Sequence, residues 1–101
     1  MDAAMEISRE ICALCNLEKI IVFGQKSSMN SDAIRDVSLC LIADTDDKET
    51  LENTIYMSVD HDVSFNLLIY TPEEWNSLTL DIQSYAFRVV KKGTVIYERP
   101  I

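Results

Sequence analysis

The segment Lys19–Ile42 (KIIVFGQKSSMNSDAIRDVSLCLI) constrains the fold more than any other part of the 101-residue chain. Ile20 to Phe23 form an unbroken apolar run, the pattern of a buried strand, and the run stops at Gly24. A polar stretch rich in Ser and Asn follows, then a second apolar run from Val37 to Ala43. The pattern predicts a strand over 19–23, a loop over 25–35 with room for a short helical turn, and a second strand over 37–43. Gly24 lacks a Cβ, so it can take positive φ and let a ligand approach the backbone. Strand, glycine, polar segment, strand is one way of presenting backbone N–H groups to a phosphate. Asp36 opens the second strand and comes close to Gly24 if the strands are neighbours. The residues alone read as a nucleotide-phosphate site with one carboxylate.

The rest of the chain supplies elements to cover those strands. Ala4, Ile7, Ile11 and Leu14 recur at helical spacing, which predicts an amphipathic helix from Asp2 to about Cys15. Asn16 is placed to stop it, because Asn tolerates the left-handed conformation. Asp44-Thr45-Asp46-Asp47 offers a cap and the negative charge that a helix N-terminus favours. Leu51, Ile55 and Val59 give the stripe of the helix that follows. Asp60-His61-Asp62 reads as a solvated turn, since three adjacent side chains of a regular backbone cannot all point at one ion. A third strand is expected over 63–70. Thr71-Pro72-Glu73-Glu74 has the letters of a capping box with proline at the first helical position. Leu78, Ile82, Tyr85 or Ala86, and Val89 continue a helical face with a bend near 78–80. Lys91 and Lys92 suit the negative end of that helix, Gly93 closes it, and a last short strand covers 94–98. No repeat, linker or low-complexity tract divides the sequence, so a single domain over 1–101 is expected. This order indicates an α+β fold, an α/β sandwich with helices on a sheet.

Charge and cysteine usage narrow the partners. The net charge of −8, from 17 Asp and Glu against nine Lys and Arg, argues against nucleic acid, whose phosphates need a basic surface. It suits a solvated surface or a basic protein partner. No apolar run is long enough to cross a membrane and the N-terminus is too acidic for a signal peptide, so the expected compartment is the cytoplasm. Cys12, Cys15 and Cys40 are an odd number and do not form a disulfide scaffold. Cys12-Ala-Leu-Cys15 matches C-x-x-C by letter. It falls near the end of a helical pattern, however, not at the N-terminus that would stabilise a thiolate, so the three cysteines are expected to be small apolar residues.

Gly24 with Asp36 twelve residues later resembles the signature of the DNA polymerase β-type nucleotidyltransferase superfamily in its minimal form. That signature is Gly-Ser, a helical turn, then Asp-x-Asp on the next strand. Phe65 to Trp75 (FNLLIYTPEEW) resembles the strand that carries the family's third Asp and the helix after it. Lys91 to Glu98 (KKGTVIYE) resembles the closing turn and strand. The resemblance implies a mixed sheet of about four strands backed by helices. It places Gly24 and Gln25 at the nucleotide phosphates, and Asp36, Ser38 and Asn66 at the three carboxylate positions.

Nucleotidyl transfer of this type uses two divalent ions about 4 Å apart, and holding them needs several anionic oxygens. Here the Gly-Ser is Gly24-Gln25, the second Asp is Ser38, the third is Asn66, and Met29 stands where the family often has a second glycine. Asp36 is the one remaining metal carboxylate. Asp44 lies about 26 Å along the second strand, and Asp62 is about 13 Å from Asn66, so Asp32 is the one acid close enough to help. A structural reading competes, in which Asp36 caps a loop and Ser38 and Asn66 form a polar pair across two strands. The expectation is a degenerate nucleotidyltransferase that binds a protein partner, a small helical HEPN-type protein in an antitoxin-like pairing, without cofactor. The alternative is an active enzyme that uses Mg²⁺ to move a nucleotide from an NTP to a hydroxyl.

Overall fold

The computed structural model describes residues 3–27 and 33–100. Its elements are α1 (Ala3–Leu14), β1 (Leu17–Ser27), β2 (Ile34–Ala43), α2 (Lys48–Ser58), β3 (Ser64–Tyr70), α3 (Pro72–Leu78), α4 (Tyr85–Lys92) and β4 (Thr94–Glu98). One four-stranded sheet runs in the order β3-β2-β1-β4. β1 lies antiparallel to both β2 and β4, whereas β2 and β3 are parallel. The fold is α+β, a mixed sheet sandwiched between two pairs of helices.

Alternation along the strands divides the core in two. Ile20, Leu39, Leu41 and Ile69 face α1 and α2, where they meet Ile7, Ile11 and Ile55. Ile21, Cys40 and Ile42 face the other way, onto Trp75 of α3 and Ala86 and Val89 of α4. Burial on both faces is why these strands read as continuous apolar runs.

The helix termini follow their capping chemistry. Asp47 caps α2, its carboxylate accepting from the Thr50 N–H at 3.1 Å and the Thr50 hydroxyl at 2.7 Å. Those two bonds hold its carboxyl below the usual range. At α3 the capping box is complete: Thr71 Oγ1 accepts from the Glu74 N–H, and Glu74 Oε1 accepts from the Thr71 N–H. α3 ends at Leu78, where a bend was expected, and Ser84 caps a separate α4.

Three sequence expectations need correction. β1 does not stop at Gly24 but continues to Ser27, because Gln25, Lys26 and Ser27 pair with Val37, Asp36 and Ile34 of β2. A strand with a backbone partner can carry polar residues once it leaves the core. Residues 25–27 and 34–35 are therefore strand, not helical turn; Ser28, Met29, Asn30, Ser31 and Asp32 lie outside the described residues. Neither Asn16 nor Gly93 is left-handed, since no described residue has positive φ. Asn16 instead accepts a hydrogen bond from Arg99 at 3.1 Å. Gly93 does close α4, but the requirement there is close approach: a Cβ would lie 2.4 Å from Ile21 Cγ2 and 2.6 Å from the Val89 carbonyl oxygen. His61 is not simply solvated. It is half-buried, its Nδ1 accepts from the Val63 N–H at 3.0 Å, and its Nε2 lies 3.7 Å from Glu6 of α1.

Candidate functional site

The parallel register of β2 and β3 sets Asp36 beside Ser64 and Ser38 beside Asn66. Asp36 and Ser38 are two apart on one strand and share a face. It is the face of Cys40 and Ile42, under α3 and α4. Asn66 shares that face with Leu68 and Tyr70 on β3. Positions 36 and 38 on β2 and 66 on β3 are thus brought to one patch at the start of the parallel strand pair.

The chemistry of the patch is that of a carboxylate held by an amide. Asn66 Nδ2 donates to both oxygens of Asp36, at 3.3 and 3.2 Å. Among the described residues the polar partner of Asn66 is therefore Asp36, not Ser38 as the cross-strand pairing had suggested. Asp36 and Ser38 are half-buried, and Asn66 is exposed. Among the described residues no three His, Cys, Asp or Glu side chains are grouped to hold a metal ion.

Gly24 borders this patch on β1, whereas Gln25 turns away from it. Gly24 is paired with Ser38 inside the ladder, its backbone φ is not positive, and a Cβ there would be in ordinary contact with Ser38 at 3.5 Å. No phosphate-binding turn forms at this glycine. Gln25 pairs with Val37, which faces the α1 side, and its side chain lines a hollow of about 430 Å³ with Ala3, Glu6, Ile34 and His61. That hollow opens on the face opposite Asp36. The backbone bulge between Val22 and Gly24, which inserts Phe23, is the local cause of this arrangement.

Two neighbours of the patch were not singled out from sequence. Lys26 is registered directly opposite Asp36 across β1 and β2. Tyr56 of α2 stacks on Phe65 at 5.2 Å and accepts a hydrogen bond from the Leu67 N–H at 3.0 Å. Burial raises its phenol pKa, and the charges of Glu52 and Asp36 push the same way. The signal for Lys26 was present in the sequence only once the strand was known to extend past Gly24. Tyr56 was hidden because its partner is a backbone N–H eleven residues away.

The cysteines are poorly placed for redox chemistry. Burial raises all three thiols, Cys40 to about 12, and the Cys15 thiol also donates to the Ile11 carbonyl. A reactive pair needs the opposite shift.

Charge is segregated along the sheet. Ten of the 17 acidic residues fall between Asp44 and Asp81, a span whose sole Lys or Arg is Lys48. Lys48 is itself held by Glu74 at 2.6 Å. Asp44, Asp46 and Glu73 line a hollow of about 270 Å³ beyond the C-terminal ends of β2 and β3. α4, by contrast, carries Arg88, Lys91 and Lys92 and no acid. No helix among the described residues is long and apolar enough to cross a membrane. Comparison with protein families, with curated proteins and with solved structures finds no match to this chain.

Proposed function

We propose that this chain is a nucleotidyltransferase-like domain that has lost metal-dependent transfer and acts by binding a basic protein partner, in the manner of an antitoxin. The observation that carries the reading is the Asn66–Asp36 hydrogen bond. Two dications close together need several anionic oxygens, and here the one carboxylate is satisfied by a neutral amide donor. Lys26 is the residue registered opposite Asp36 across β1 and β2, so the neighbouring strand adds no further carboxylate there. The acidic span from Asp44 to Asp81 offers a basic partner a complementary field, which raises association rate and selectivity more than affinity.

Calorimetry tests the metal half of the reading: neither Mg²⁺-ATP nor Mn²⁺-ATP should give a saturating heat. A saturating heat that EDTA abolishes would restore the active-enzyme alternative. The double variant Ser38→Asp, Asn66→Asp tests the geometry. Three carboxylates in one patch repel, so the variant should melt lower than wild type without metal. Mn²⁺ should then raise its melting temperature and leave that of the wild type unchanged. Asp36→Asn in the same background should remove most of the gain. The partner half is tested by capture from native lysate with wild type and with Asp44→Lys, Asp46→Lys, Glu73→Lys. Loss of the captured basic protein in the triple variant supports the reading, and unchanged capture assigns the partner to another surface.

A further inference from the structure

We propose that β4 is a self-association edge, and that its occupant is the β4 strand of a second copy of this chain paired antiparallel about a two-fold axis near Val95. Independently of the partner reading, three observations on this side of the molecule converge.

The two edges of the sheet are finished differently. On the β3 edge, Tyr56 of α2 takes the Leu67 N–H, so that backbone is partly covered. On the other edge β4 has β1 on one side and no described strand on the other. A strand left in that state is a template for pairing with another chain. The usual devices that blunt an edge are charge and proline, and Val95, Ile96 and Tyr97 at its centre supply neither.

The side chains fit a symmetric contact. The irregularity between Ile20 and Ile21 leaves Ile96 without a partner on β1. Ile96 and Tyr97 both pack toward α1, and Val95 stands on the opposite face, 48 % exposed. Val95 and Val90, itself half exposed, border a groove of about 380 Å³ floored by Ile21 and Trp75. A two-fold axis near Val95 brings Val95 and Val90 of each copy against the same residues of the other, so one patch serves as both donor and acceptor of the contact.

Charge sets the direction and makes the approach tolerable. The strand is preceded by Lys91-Lys92 and ends at Glu98, whose side chain stays 62 % exposed beside its own Lys19. Antiparallel pairing about Val95 sets Lys92 of each copy level with Glu98 of the other at both ends, with Lys91, whose ammonium lies over its own Phe87 ring, level with Arg99. Parallel pairing would set lysine against lysine. With a net charge of −8 two copies repel overall, but ten of the 17 acids fall between Asp44 and Asp81, outside β4.

Sedimentation of the full chain from micromolar to millimolar concentration should show a monomer–dimer equilibrium. Val95→Lys should shift it to monomer with an unchanged circular dichroism spectrum and melting temperature at low concentration. Met57→Lys, on the fully exposed side of α2, should leave it intact. Hydrogen exchange on the wild type gives a reading that needs no variant: amides of residues 94–98 should slow several-fold as concentration rises, and those of α2 should not. A wild type that stays monomeric to millimolar concentration overturns the proposal. So does a dimer that Val95→Lys leaves intact, or one whose β4 amides exchange at the monomer rate.

Discussion

The two faces of the sheet are built to different standards. Against α1 and α2 the strands present a broad layer sealed at its centre, where Ile7, Ile11, Ile20, Leu39, Leu41 and Ile55 are all fully buried, with one hollow at its margin beside Gln25. Against α3 and α4 the buried set is six residues, Ile21, Cys40, Ile42, Trp75, Ala86 and Val89. Around that smaller set Leu80, Ile82, Tyr85, Val90 and Val95 remain about half exposed or more. The first face stabilises the fold. The second leaves apolar surface uncovered, as a protein does where it meets another surface.

The largest predicted effect sits on the sealed face. Leu39→Ala should cost about 2–5 kcal/mol, toward the upper end, because close packing from α1 and α2 leaves the cavity little means to collapse. Ile21→Ala should cost toward the lower end of the same about 2–5 kcal/mol range, since Ile21 borders the open groove and its neighbours can settle. Denaturant midpoints at constant m-value measure both. Equal losses would mean that the two faces are packed alike.

Gly93 comes next, at the seam where α4 turns into β4 on the second face. Gly93→Ala forces a methyl against Ile21 Cγ2 and the Val89 carbonyl, and should cost about 1–3 kcal/mol. Part of the clash disappears when Ile21 is already Ala, so the double variant should lose less than the sum of the two single ones. Strict additivity would show that the Val89 carbonyl alone sets the constraint.

How much of this was legible in sequence depended on how local the cause was. The Thr71 capping box, the end of α2 at Val59 and the break after Leu78 were readable because each rests on residues within one or two turns. The fold class followed from hydrophobic periodicity. The extension of β1 through Gln25 to Ser27 was not readable, because polar residues enter a strand only when a distant partner supplies the ladder. That Asp36 and Ser38 share a strand face was readable from their spacing, and the resemblance implied that Asn66 joins them. That Asn66 would take Asp36 rather than Ser38 depended on side-chain geometry across two strands. Gln25 was assigned beside Gly24 by position, yet alternation turns it to the opposite face.

The helix caps give a smaller effect that compares the two layers again. Thr71→Ala should cost about 1 kcal/mol, and Asp47→Ala, at the cap of α2, should also lower the melting temperature. The Thr71 box also carries a pH signature. Lys48 and the Thr71 N–H hold Glu74 below its ordinary value of 4.5. A depressed carboxyl contributes stability above the unfolded pKa and loses it as pH falls through the folded value. Glu74→Gln should therefore melt lower than wild type near neutral pH, and the gap should narrow as pH falls below the ordinary carboxylate range. Lys48 and Glu74 are both well exposed, so the gap is expected to be a few tenths of a kcal/mol. A gap that persists in acid would assign the loss to packing instead of charge.

The smallest predicted effect bears most directly on why the second face is left open. Leu80 and Ile82 sit in the connection between α3 and α4, 84 % and 72 % exposed. Exposed side chains of this kind contribute little to the fold, so Leu80→Ser with Ile82→Ser should change stability by less than about 0.5 kcal/mol per site. If the face is a contact surface, the same double variant should weaken association with a partner or a second copy while its melting temperature holds. Sedimentation and partner capture, each run beside thermal melting, separate the two effects. A loss of more than about 1 kcal/mol would mean that these residues already pack within the chain. The contrast between a sealed face and an open one would then fail at its widest point. Unchanged stability together with unchanged association would confine the contact surface to the β4 edge and the groove beneath Val90 and Val95.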